Sequence, residues 1–147
     1  MEGARARFDR ARFMTPDGLV ICSSDFTFAE TADRVAAAVI GHGMATLARI
    51  DHAAAAAKVG LALRPTEVIA FGNAKVGTPL MQAEQTIGID LPLKILIWQD
   101  FAGKIWLGYD DPVWLARRHG VAKEHDEILA AMSRALATIT GRIGRSQ

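Results

Sequence analysis

The sequence predicts a two-layer α/β (α+β) sandwich, with helices covering a mixed sheet of about five strands. Three observations predict it. Strand-like apolar runs alternate with helix-like segments through the first half of the chain. A glycine-turned hairpin of aromatic-bearing strands follows, and an amphipathic helix closes the sequence.

Each element has a local cause. Pro16-Asp17-Gly18 is a turn signature, so Leu19–Ser24 reads as a first strand. Thr27 and Glu30 have the spacing of a capping box, in which the hydroxyl accepts a backbone N–H and the glutamate reaches back. The helix they open places Ala32, Val35, Ala36, Val39 and Ile40 on one face. Gly41-His42-Gly43 stops it, because glycine takes the left-handed C-terminal conformation without a Cβ clash. Met44–Ile50 reads as a second strand, and Asp51 caps a helix over His52–Val59. Val68–Phe71 is apolar without alternation, which is the pattern of a strand covered on both faces.

In the second half, Thr78-Pro79 reads as the opening of a short helix, where the missing proline N–H costs nothing. Lys94–Gln99 and Lys104–Tyr109 flank Asp100-Phe101-Ala102-Gly103 as a hairpin. Asp111-Pro112 caps a helix up to His119. A last helix from about Lys123 to Thr140 carries the stripe Ile128, Leu129, Met132, Leu136, Ile139 and Ile143. Nothing resembles a linker or repeat, so residues 19–147 read as one domain behind an N-terminal extension, residues 1–18, that is poorly ordered at its start.

Composition narrows the functions. A chain of 147 residues, 50% hydrophobic and 22% charged, has the make-up of a packed globule. A net charge of +1 gives no broad field for nucleic acid or anionic lipid, although Arg5, Arg7, Arg10 and Arg12 cluster near the start. A single cysteine, Cys22, permits no intrachain disulfide and sits in an apolar run, as a buried inert thiol does. No apolar run approaches the ~20 residues of a membrane span. The expectation is a cytoplasmic protein that binds neither membrane nor nucleic acid.

An ordered set of residues then suggests a family. Asp51-His52, Gly60-Leu61, Pro65, Phe71-Gly72-Asn73-x-Lys75-x-Gly77-Thr78, Gly88-x-Asp90-Leu91-Pro92 and Tyr109-x-x-Pro112 occur in that order. Together they resemble the DUF302 family over roughly Phe26 to Gly120. The resemblance implies a TT1751-like α/β fold and a homodimer, and brings no assigned activity with it. The family pattern has proline after the loop asparagine where this chain has Ala74, which frees the backbone φ angle there.

The candidate ligand site is the stretch Gly72, Asn73, Lys75, Gly77 and Thr78, between a strand and a helix, with His42 as a neighbour at a strand end. Free backbone N–H groups, the lysine ammonium and the asparagine amide would converge there on a small anionic ligand. It is not a Walker A loop, since the lysine precedes the second glycine. The alternative is that Asn73 takes a positive φ in a plain turn and Lys75 points to water. Asp90, between apolar residues, is a candidate acid/base for an enzyme acting on a small metabolite, as is His52. Asp90 could equally bond its own turn or pair with Lys75. No two histidines have i,i+4 helical spacing, so no metal site is expected, and no cofactor motif is present. A third reading is an interaction module whose surface is the aromatic hairpin around Trp98 and Trp106.

Overall fold

A computed structural model describes residues 15–144. The arginine cluster lies outside the described residues. The chain begins with β1 (Leu19–Ser24) at one edge of the sheet. Helix α1 (Phe28–Gly41) then carries it across to β2 (Ala45–Asp51) at the other edge. The capping box forms as predicted: Thr27 Oγ1 accepts from the Glu30 N–H at 3.2 Å and Glu30 accepts from the Thr27 N–H at 3.3 Å. On the inner face of α1, Ala32, Val35 and Val39 are buried, whereas Ile40 turns outward and is 67% exposed.

Helix α2 (His52–Lys58) leads to β3 (Thr66–Gly72), α3 (Ala74–Ala83) and a 3-10 turn (Gln85–Ile89). The hairpin β4 (Leu93–Gln99) and β5 (Ile105–Asp110) follows, then α4 (Pro112–Arg118), a 3-10 turn (Lys123–His125) and α5 (Asp126–Ile143). The strand order is β1-β5-β4-β3-β2.

All four strand pairings are antiparallel, so the sheet is not mixed. The reason lies in α2. Asp51 caps it as expected, its carboxylate accepting from the Ala54 N–H at 2.8 Å, but the helix buries no residue. It is an excursion at the end of the sheet rather than a covering layer, so β3 returns beside β2 in the opposite direction. Only α1 makes a full crossover, and it joins two strands that are not neighbours.

The sheet alternates in and out. Phe71, Ile69, Ile95, Ile97, Leu107 and Tyr109 point to the helical side and form one core with α1, α5 and Ala116 of α4. Trp98 and Trp106 point the other way and stack at 6.4 Å between centroids. Trp98 lies over Gly108, where an added Cβ would come within 3.1 Å of the ring. Asp100 organises the hairpin loop by accepting from the N–H groups of Ala102 and Lys104 and from Trp106 Nε1, each at 2.9 Å. The bond from Trp106 is the main reason its carboxyl is held below the usual carboxylate range.

Polar pairs tie the layers. Glu67 is buried on the helical side of β3 and accepts from Arg49 Nε at 3.0 Å and Nη2 at 3.1 Å, while Arg49 Nη1 reaches Asp33 on α1 at 3.3 Å. Cys22 is half-buried and packs against the core beside α5, and burial pushes its thiol pKa up. Thr46 Oγ1, beside a register shift in β2, is buried with no partner among the described residues.

Two stability predictions follow from the fold. Gly18 has φ +77°, and a Cβ there would lie 2.2 Å from the Trp114 ring. Gly18→Ala should therefore cost about 2–4 kcal/mol in urea unfolding. Thr46→Val removes an unsatisfied hydroxyl at nearly constant volume and should gain about 1 kcal/mol in the same measurement.

Candidate functional site

The stretch expected to be a ligand loop is mostly helix. Helix α3 starts at Ala74, four residues before the expected opening at Thr78-Pro79, and Pro79 lies inside it. The cause is Asn73, which acts as the N-cap with φ −138° and not as a positive-φ turn residue. Its Oδ1 accepts from the Lys75 N–H at 2.9 Å, and its carbonyl accepts from the N–H groups of Val76 at 2.9 Å and Gly77 at 3.0 Å. The amides proposed to hold an anion are thus engaged by the asparagine itself. Its Nδ2 donates to Gly43 O at 3.4 Å, tying the start of α3 to the corner between α1 and β2.

Beside this helix start is a cleft of about 340 Å³. Its walls are Met44 and Leu47 of the β2 segment, Gly72 and Asn73, Ala74, Val76, Gly77 and Met81 of α3, Leu91, Pro92 and Leu93 entering β4, and Met132, Ala135 and Leu136 of α5. Room exists because α3 stands away from the sheet, with Leu80 its one buried residue, and because small residues face the space. The cleft is open to solvent: Leu47 on the β2 segment is 62% exposed, and Asn73, Ala74 and Val76 at the start of α3 are exposed too.

Of the predicted ligand residues, Gly72, Asn73 and Gly77 line the cleft, whereas Lys75, Thr78 and His42 do not. Lys75 and Thr78 are exposed on α3, and His42 is the exposed C-cap of α1. The cleft residues that sequence reasoning did not bring together are Met44, Met81 and Met132, from three distant segments. Unbranched thioethers adapt to ligands of varied shape, which suits them to an apolar site.

Asp90 lies on the turn that forms the outer wall, immediately before Leu91. Its partners are neither Lys75 nor its own turn. Arg118 Nη1 donates to both carboxylate oxygens at 2.9 Å, and His119 Nε2 lies 2.5 Å from Oδ2. A carboxylate only accepts, so Nε2 carries the hydrogen there, leaving Nδ1 to meet the Thr86 hydroxyl at 2.9 Å. Lys94 Nζ adds bonds to the carbonyls of Asp90 at 3.2 Å and Pro92 at 3.1 Å. The network clamps the 3-10 turn and the Asp90–Pro92 segment to the end of α4. Gly88 in that turn packs on Met81, where a Cβ would sit 3.4 Å from the sulfur, so the clamp holds the cleft wall in place.

His52 and Asp90 are not brought together. Asp90 precedes the strand end where Leu93 pairs with Phe71, while His52 follows the end where Asp51 pairs with Glu67. A strand length, roughly 15–20 Å, separates those ends.

The clamp predicts a specific energetic pattern. Asp90→Ala and His119→Ala should each cost about 1–3 kcal/mol in urea unfolding, and the double variant should cost less than their sum. Lys75→Ala, on the exposed side of α3, should stay within about 0.5 kcal/mol of the wild type.

Comparison with known proteins agrees with the fold and widens the context. The family described as "Domain of unknown function DUF302" matches residues 20–139. A crystal structure titled "uncharacterized conserved protein DUF302 from Bacillus stearothermophilus" superposes with a TM-score of 0.77 at 19% identity. That likeness covers 87% of this chain and 99% of that one. Two curated relatives carry the names "Fluoride-specific ion channel FluC 1", from Brucella suis biovar 1 (strain 1330), and "Fluoride-specific ion channel FluC 2", from Brucella melitensis biotype 1 (strain ATCC 23456 / CCUG 17765 / NCTC 10094 / 16M). Each is 47% identical over 123 residues, or 84% of this chain, and the match covers 48% of the first and 46% of the second. The chain thus spans about half the length of the curated relatives it matches. Among the described residues, no helix is long and apolar enough to cross a membrane.

Proposed function

The chain belongs to the DUF302 family, and from that premise we propose that it binds a small, predominantly apolar ligand in the cleft between α3, β2, the entry to β4 and α5. The observation that carries this reading is the cleft's lining: apart from Asn73, every residue in it is apolar or glycine. Asn73 spends both ends of its side-chain amide on the protein, so it supports the cleft mouth more than it offers a ligand contact. An anionic ligand, the expectation from the loop chemistry alone, would meet no unengaged amide row and no lining cation. The volume corresponds to roughly ten non-hydrogen atoms, taking liquid water's ~30 Å³ per molecule as the measure. We further read the working form as a cytoplasmic homodimer, the assembly that the family resemblance implied.

A second reading concerns the relatives named as fluoride channels. Because this chain matches only about half of each, the family domain is joined there to a further segment. In this reading the domain is an interaction module for such a segment. Co-expression with the unmatched part of the Brucella suis relative tests it, and co-purification is the expected result.

The ligand reading predicts that straight-chain alcohols of increasing length raise the melting temperature of the wild type progressively. At a hundredfold excess over Kd the native state gains about 2.7 kcal/mol. Ala135→Trp, which fills the cleft from α5, should abolish the shift, and Lys75→Ala should leave it intact. A shift with inorganic phosphate that disappears in Lys75→Ala would restore the anionic reading instead.

A further inference from the structure

The end of the sheet where β3 begins lies a strand length from the cleft and carries two loops side by side. One runs from α2 into β3, and the other joins β4 to β5. The Gln99 N–H donates to the Pro65 carbonyl at 3.0 Å, so the two loops meet at their bases. Of the ten large hydrophobic side chains that are exposed among the described residues, five gather at this end. They are Ile50 at the close of β2, Val59, Leu61 and Leu63 in the first loop, and Phe101 in the second. Every residue from 57 to 64 is exposed. Single exposed hydrophobics are ordinary, whereas a cluster marks a contact surface.

Hydrogen bonds, not buried side chains, hold the first loop. At the end of α2 the Leu61 N–H donates to the Ala56 carbonyl at 3.0 Å and the Gly60 N–H to the Ala57 carbonyl at 3.1 Å, with Gly60 at φ +77°. This Schellman pattern ordinarily sets the residue after the glycine against a large apolar neighbour on the helix. Helix α2 offers only alanine there, so Leu61 stays 66% exposed. The Thr66 hydroxyl fixes the far side of the loop by donating to the Arg64 carbonyl at 2.8 Å.

Positive charge brackets the same residues. The loop reads Lys58-Val59-Gly60-Leu61-Ala62-Leu63-Arg64, and no aspartate or glutamate occurs between Asp51 and Glu67. Neither Lys58 nor Arg64 is ion-paired among the described residues. The carboxylates beside the two loops are occupied: Asp51 caps α2, Glu67 accepts from Arg49, and Asp100 accepts from its own hairpin. A net charge of +1 gives the chain no broad field, so the attraction to an anion is local to this end.

We propose that this end of the sheet docks on an anionic lipid surface. Leu61, Leu63 and Phe101 enter the boundary between headgroups and acyl chains, and Lys58 and Arg64 meet the headgroup phosphates. A lipid surface fits this chemistry better than a protein does. Protein interfaces are anchored by tryptophan, tyrosine and arginine in complementary pockets, and leucine and valine are scarce among such anchors. A bilayer requires no matching shape, and affinity for it rises with inserted apolar area and with each nearby cation.

Co-sedimentation of the full chain with phosphatidylcholine vesicles, with and without phosphatidylserine, tests this. The expected result is binding of the wild type to the vesicles that contain phosphatidylserine. Lys58→Gln should weaken it about fivefold. Leu61→Ser combined with Leu63→Ser should weaken it on the order of a hundredfold. Ile89→Ser, exposed at the opposite end of the sheet, should bind as the wild type does. All these positions are exposed, and thermal melts verify that the variants fold. A wild type that ignores phosphatidylserine would overturn the proposal. Undiminished binding by the double leucine variant would also overturn it, by assigning the attraction to other basic residues. Self-association of the wild type that the double variant abolishes, without vesicle binding, would assign the loops to a protein partner instead.

Discussion

The structure depends on the burial of one helix face. Strands β1 and β2 occupy opposite edges of the sheet, and α1 is the segment that joins them. It lies across the sheet with Val35 and Val39 fully buried against the inner residues of β3 and β4. Once that crossover is made, the space between the edges must be filled by strands that arrive later in the chain. β3, β4 and β5 fill it in turn from the β2 side, each beside its predecessor and antiparallel to it. Non-local pairing of this kind is stable only if the helix stays docked, because β1 finds its partner, β5, more than eighty residues onward in sequence, as the pairing of Leu19 with Asp110 shows.

The cleft is a by-product of how that packing ends. Where α1 gives way to β2 and β3 gives way to α3, no large side chain fills the space under α3. Asn73 fixes the boundary by capping α3 and gripping Gly43 in one gesture. Asp90, Arg118 and His119 fix the far wall. Polar groups therefore form the frame and apolar groups the interior, an arrangement common to small-molecule sites. The clamp has the hydroxyl, imidazole and carboxylate of a catalytic relay, but its members do not line the cleft, and its geometry is that of a brace.

Local chemistry was legible in the sequence wherever one short segment settles the outcome. The Thr27–Glu30 box, the Asp51 and Asp111 caps, and the turns at Gly43 and Gly103, both of positive φ, were readable from neighbouring residues. The strands and the amphipathic stripe of α5 were readable from periodicity. Strand direction was not, because a helix between two strands suggests a parallel crossover unless one knows that α2 buries nothing. The start of α3 was hidden by its own composition: glycine and proline read as loop and boundary, while the Asn73 cap overrode them. Three of the six predicted ligand residues reached the cleft. Met132 read as part of the core stripe, and nothing local announces that it shares a cleft with Met44 and Met81, or that Asp90 meets His119, 29 residues away.

Methionine methyl resonances offer the most direct measurement of the central claim. The chain has five methionines, and Met44, Met81 and Met132 all line the cleft from separate segments. In a spectrum of methyl-labelled protein titrated with a straight-chain alcohol, those three signals should move together and saturate at one concentration, with Ala135→Trp removing the response. Signals that stay fixed while the melting temperature responds, or a response confined to the exposed face of α3 around Lys75, would contradict an apolar site in the cleft.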